Sequence, residues 1–153
     1  MDSTIFDKWD SEFNSEELAK DVKNNTSKGD YEDVPDGEYE VKIKKLELVA
    51  SKKTGEPMVT IWFEVLSEGE YKGRFIFMNQ LVSKGLQLKI MDEFLESLDT
   101  GVEIDFVNYN QYNNMILDVM EEINTQKLEY ALAYGTNEKG FHTYKITDVF
   151  ETN

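Results

Sequence analysis

From Tyr39 onward the chain alternates apolar and polar positions: Tyr39, Val41 and Ile43 share one side, and the apolar phase then slips by one to Leu46 and Leu48. A one-residue slip would turn every later side chain to the opposite face of a regular strand, so it predicts a β-bulge near Lys44-Lys45 in a first strand that follows the Pro35-Asp36-Gly37 turn. Lys52-Lys53-Thr54-Gly55 reads as a hairpin turn. In a second strand, Pro57, Val59, Ile61, Phe63 and Val65 form one apolar face, and Met58, Thr60, Trp62 and Glu64 form the other. A third strand runs from Arg74 to about Val82, with both faces mixed and its orientation therefore open. The period then changes to that of helices. Ser83 is placed to cap a helix whose stripe is Leu86, Ile90, Met91, Phe94, Leu95 and Leu98, ending at Gly101. A second helix, about Tyr109 to Asn124, has Tyr112, Ile116, Val119, Met120 and Ile123 on its inner face. Val102 to Val107 is a short strand or an extended link. Alternation returns at Leu128, Tyr130, Leu132 and Tyr134, turns at Thr136 to Gly140, and continues through Tyr144 and Ile146.

Three strands, two helices and two strands give a mainly β chain with a helical insert, β-β-β-α-α-β-β, which is the element order of a five-stranded oligonucleotide-binding barrel. That domain is expected over residues 34–153. Residues 1–33 read as an N-terminal acidic and aromatic arm. Ser15 followed by Glu16-Glu17-Leu18 marks a short helix, and Asn24 to Gly29 a linker. Ile5, Phe6, Trp9 and Phe13 fall at helical spacing among Asp2, Asp7, Asp10 and Glu12, a face suited to contact with a partner protein or a second copy of the chain.

Composition narrows the function. The chain has 153 residues and a net charge of −15, with no cysteine. A disulfide framework, a thiolate zinc site and a thiol nucleophile are therefore excluded. No apolar run is long enough to span a membrane and no signal-peptide pattern is present, which points to a cytoplasmic protein. The charge is unevenly spread. Residues 1–36 hold 11 acids against 4 bases and residues 83–126 hold 9 against 2, whereas residues 37–82 are balanced at 7 and 7. Most of the excess negative charge thus belongs to the arm and helices, leaving the strands near neutral.

No catalytic constellation emerges. His142 is the only histidine and reads as a structural strand residue, so no enzyme is expected. Asp30, Glu32, Asp33 and Asp36 lack the glycine and terminal glutamate of a calcium loop, and no metal or cofactor is expected. What remains is Trp62 among cations. If Val41 and Ile43 point inward, Lys42 and Lys44 point outward and share a face with Thr60 and Trp62. An exposed aromatic on a curved sheet with cations nearby suits single-stranded nucleic acid, because every base offers a π-face and phosphates attract lysine and arginine. The candidate contacts are Trp62, Lys42, Lys44, Lys52, Lys53, Lys72 and Arg74, the only arginine, joined by Phe77 and Asn79 if the third strand turns that face outward. The competing reading from another class is an acidic module that binds another protein, imitating the charge of DNA.

The segment VPDGEYEVKIKKLELVASKKTGEPMVTIWFEVLSEGEYKGRFIFMNQ, the helix LQLKIMDEFLESL and the ending GFHTYKITDVFE resemble a family of small acidic bacteriophage proteins. These are encoded in early replication and recombination gene clusters and are regarded as phage single-stranded-DNA-binding proteins. The resemblance spans about Asp30 to Glu151. It implies an oligonucleotide-binding barrel that coats single-stranded DNA during phage DNA replication or recombination, in the host cytoplasm and alongside phage replication and recombination proteins; a homo-oligomer is instead what the apolar face of the arm allows. It assigns no individual binding residues.

Overall fold

A computed structural model describes residues 34–152. Five strands and two helices follow one another as β1 (Gly37–Ala50), β2 (Pro57–Val65), β3 (Phe75–Leu81), α1 (Gly85–Ser97), α2 (Tyr109–Gln126), β4 (Leu128–Thr136) and β5 (His142–Glu151). The strands form one antiparallel sheet in the order β3-β2-β1-β4-β5. Among the described residues no ladder joins β3 to β5, so the sheet is open, with these two strands as its edges. The protein is mainly β with a two-helix insert, as the alternation predicts.

The 14-residue β1 organises the sheet. Its first part, Gly37 to Val41, pairs with β4, and its later part, Val41 to Ala50, pairs with β2. The register shifts between Ile43 and Lys45, where the slip in the sequence places a bulge. The extra residue keeps Val41, Ile43 and Leu46 all buried and bends the strand between its two partners. At the far end of β1 the chain reverses through a tight turn in which the amide of Gly55 bonds the carbonyl of Ser51 at 2.8 Å. Gly55 has φ +76°, a conformation glycine adopts without strain.

One core lies on the inner face. Val59, Ile61, Phe63 and Val65 of β2, Ile76 and Met78 of β3, and Leu128, Tyr130, Leu132 and Tyr134 of β4 are all buried there. Met91, Phe94 and Leu95 of α1 meet this face, with Leu98 just beyond the helix, and so do Tyr112, Met115, Ile116, Val119 and Ile123 of α2. Leu86 and Ile90 depart from expectation. They are 71% and 44% exposed, because α1 packs against the edge strands β3 and β5, so only one side of its wide apolar stripe finds cover. Met120 is half-buried and Met115 takes the deeper position. Ser83 lies one residue before the observed cap, Lys84. The side-chain Oε1 of Gln87 accepts from both the Ser83 and Lys84 backbone amides at 3.0 Å. The Ser83 hydroxyl donates to Glu56 at 2.6 Å, tying the start of α1 to the β1–β2 turn. Residues 102–107 form an extended link whose Val102, Ile104 and Phe106 lie against the core.

Tyrosine hydroxyls fasten the helices to each other and to the sheet. Tyr130 donates to the Leu98 carbonyl at 2.7 Å, Tyr112 to the Asp92 carboxylate at 2.7 Å, and Tyr109 to the Val82 carbonyl at 2.8 Å. Burial, with Asp92 adding its negative charge and hydrogen bond at Tyr112, raises the pKa values of Tyr112 and Tyr130 above the usual phenol value. Tyr144 of β5 bridges the open side by donating to the carbonyl of Phe77 on β3 at 2.6 Å. Its phenol is pushed up to about 12 by burial first and by the neighbouring Tyr134 second.

Two stability predictions follow from these bonds. Tyr130→Phe strands the buried Leu98 carbonyl and should lower unfolding free energy by about 1–3 kcal/mol in a urea titration. Tyr109→Phe, at a half-exposed site where water can take over, should cost about 0.5–1 kcal/mol at most; equal losses would contradict this placement of the two hydroxyls. The second concerns pH. Tyr144 holds its proton more tightly folded than unfolded, so its contribution is complete below about pH 10, the ordinary tyrosine pKa, and is lost as pH rises towards its folded value of about 12. Over that range the native state binds more protons than the unfolded one, and stability falls with pH. Denaturation midpoints should drop from pH 10 to 11, and less steeply in Tyr144→Phe; parallel curves for the two proteins would contradict the bridge.

Candidate nucleic-acid interface

The outward face of β2 and β3 carries three large aromatic rings. The register sets Trp62 opposite Phe77 and Glu64 opposite Phe75. Trp62 meets Phe77 edge to face at 5.5 Å between centroids and Phe75 at 6.2 Å; Phe75 and Phe77 lie nearly parallel at 6.1 Å. The strand period of two explains the grouping, since Phe75, Phe77 and Asn79 share one side while Ile76 and Met78 point into the core. Third-strand orientation, open in the sequence, is thereby fixed with Phe77 and Asn79 outward. Trp62, Phe75 and Phe77 remain 37%, 38% and 50% exposed. Grouped exposed aromatics of this kind mark an interaction surface far more strongly than scattered ones.

Lys45 sits over this cluster. The bulge makes Lys44 the extra residue, so Lys45 pairs with Trp62 and its Nζ lies 4.4 Å from the centre of the Trp62 ring, a cation–π contact. Lys45 also approaches Glu47 at 3.6 Å. One face of Trp62 is thus already occupied, leaving Phe77 the more accessible ring. Neither Lys45 nor Phe75 is among the candidates from sequence. The bulge was legible, but which lysine it displaces depends on the partner strand's register, and Phe75 followed only once the orientation of β3 was known.

The expected cations are dispersed. Lys44 pairs with Glu64 at 3.7 Å. Lys72 is held by Glu68 at 2.8 Å in the β2–β3 turn. Lys42, opposite Glu64 in register, lines a separate recess with Asn124, Lys127, Glu129 and Thr152 where α2 meets β4. Lys52 and Lys53 are exposed in the β1–β2 turn and make no ion pair among the described residues. Arg74 is half-buried immediately before β3. Ile5, Phe6, Trp9 and Phe13, the expected partner contacts, lie outside the described residues.

Beside the aromatic face, between the edges β3 and β5, is an open cleft of about 610 Å³. Phe77, Asn79, Phe141, His142, Thr143 and Tyr144 line it, with Ile90 of α1 at one side. His142 stacks on Tyr134 at 5.0 Å. Phe77 belongs to both features and makes them continuous. Among the described residues no group of three or more His, Asp or Glu side chains is placed to hold a metal ion, and no helix is long and apolar enough to cross a membrane.

No curated protein and no solved structure matches the chain. Residues 20–136, ending with the last residue of β4, match the family described as "Protein of unknown function (DUF669)". That span covers most of the sequence and takes in every strand and helix above except β5, and the chain belongs to the DUF669 family.

Proposed function

We propose that this protein binds and coats single-stranded DNA with little sequence preference, using the outward face of β2 and β3, and that it serves phage DNA replication or recombination without catalysing a reaction. The observation that carries the reading is the exposed group Trp62, Phe75 and Phe77. Splayed bases stack on such rings whatever their sequence, whereas a paired duplex keeps its π-faces inside. The architecture supports the same reading. A five-stranded sheet centred on a long bent β1, with its edge strands brought together by the Tyr144 hydroxyl and no ladder between them, suits a partly open oligonucleotide-binding barrel. Charge constrains how such binding could work. At −15 overall, the chain is poorly suited to long-range attraction of DNA, and affinity must come chiefly from stacking. Lys45, Lys52 and Lys53 supply local phosphate contacts, with Lys45 leaving Trp62 so that the ring is free for a base.

Phe77→Ala should weaken binding to an oligo-thymidine by about 1–3 kcal/mol, the loss of one base platform, while the fold persists because the Tyr144 bridge uses only the Phe77 backbone and the lost ring contacts with Trp62 and Phe75 cost at most about 0.5–1.5 kcal/mol. Phe75→Ala should act in the same direction. With three phosphate contacts, the log–log dependence of affinity on salt should have a slope of about −2, at roughly −0.7 per contact on single strands. Wild-type affinity in both alanine variants would overturn the proposal.

A further inference from the structure

We infer, resting on the single-strand reading above, that the bound strand runs on from the β2–β3 face into the cleft between β3 and β5 and stacks a second base on Phe141, at the end of the β4–β5 turn. Phe141 is 67% exposed, more than Trp62, Phe75 or Phe77, yet its backbone is tied down. The Asn137 amide donates to the Phe141 carbonyl at 2.8 Å, and the Asn137 Oδ1 accepts from the Phe141 amide at 3.0 Å and from the Lys139 amide at 2.9 Å. The turn therefore holds a large ring in water at one place, and that ring is not among those packed on the core. Phe141 precedes Tyr144 by three residues, about 10 Å along an extended chain, and Tyr144 reaches the Phe77 carbonyl across the cleft. That separation puts Phe77 and Phe141 at different nucleotides of one strand.

Charge is what favours a nucleic acid as the occupant. No carboxylate lines the cleft, whose walls include Phe77, Ile90, Phe141, His142 and Tyr144. The chain holds 31 acidic residues against 16 basic ones, and other recesses show that excess. Glu38, Glu40 and Asp148 line one on β1 and β5, and Glu96, Asp99 and Glu103 line another beside the α1–α2 link. A polyanion is therefore repelled least where the exposed rings stand. Phe77 belongs to both the cleft and the β2–β3 face, so a strand passes from one to the other without crossing an acidic surface. Stacking asks for no particular base, and the second platform adds affinity without selectivity. A ring fixed in place before binding adds it at a lower ordering cost.

The test is the affinity of the full chain for an oligo-thymidine of about 16 nucleotides, the upper end of the footprint of one oligonucleotide-binding domain, in Phe141→Ala, Phe141→Leu and Phe141→Trp. Phe141→Ala should lower affinity about fivefold to a hundredfold, the loss of one base platform, with the unfolding midpoint unchanged because the ring lies outside the core. Phe141→Leu keeps an apolar side chain without a π-face and should bind as weakly as Phe141→Ala. Phe141→Trp should bind at least as well as the wild-type protein. Phe77→Ala combined with Phe141→Ala should show the product of the two single losses, as separate platforms do. Wild-type affinity in Phe141→Ala or Phe141→Leu, or a double variant no weaker than the weaker single one, overturns the second platform; with Phe77→Ala still weakened, the single-strand reading stands. Failure of the wild-type protein to bind any oligonucleotide overturns both.

Discussion

The bulge between Ile43 and Lys45 is the constraint on which both the fold and the candidate site depend. A regular strand of 14 residues would keep Val41 and Ile43 inside only by turning Leu46 outward, since side chains alternate strictly. The extra residue lets all three enter one core. It also accompanies the handover of β1 from β4 to β2, which bends the sheet so that its two edges come within reach of the Tyr144 hydroxyl. The same shift decides which cation lies over the aromatic face, because Lys45 and not Lys44 stands opposite Trp62.

That arrangement divides labour between the two faces of the sheet. The inner face is sealed by apolar side chains and by tyrosine hydroxyls that satisfy the carbonyls of Val82 and Leu98, just beyond β3 and α1, and the Asp92 carboxylate within α1. Buried polar groups of this type cost free energy when left unpaired, so each bond fixes the position of an element as well as contributing a modest net amount. The outer face of β2 and β3 is built oppositely, with three rings left in contact with water and braced against one another. The edge-to-face contacts of Trp62 with Phe75 and Phe77 hold the rings in place without ligand, which reduces the ordering a bound strand would otherwise have to pay for.

Much of the fold was legible because its signals are local. Alternation marks each strand, the slip at Lys44-Lys45 marks the bulge, and the change to helical period marks the two-helix insert. Leu86 and Ile90 were misread because periodicity reports how apolar a helix face is, not how much of it a neighbouring element covers; α1 sits at the sheet's edge strands, where cover runs out. The aromatic site was legible in part. Trp62 stands out in a strand whose other face is unbroken, but Phe75 and Phe77 could join it only once β3 was paired. Its own pattern is mixed on both faces, and register comes from long-range contacts. The lysines were the weakest signal. Lys44 and Lys72 have carboxylates within reach, Glu64 and Glu68, and exposed pairs of that kind are too weak and too dependent on geometry to read from spacing alone.

Stacking of splayed bases on the β2–β3 face is the centre of this account, and it separates single strands from duplexes more sharply than any other property. The direct measurement is fluorescence anisotropy of a labelled oligo-thymidine and of a duplex of the same length, each titrated with the full chain at the same moderate salt. The single strand should bind much more tightly, because only its bases can reach Phe75 and Phe77 and the protein's net charge of −15 repels a duplex whose phosphates are more densely spaced. Equal affinity for the two, or binding to neither, would contradict the account and leave the exposed rings as a contact surface for another protein.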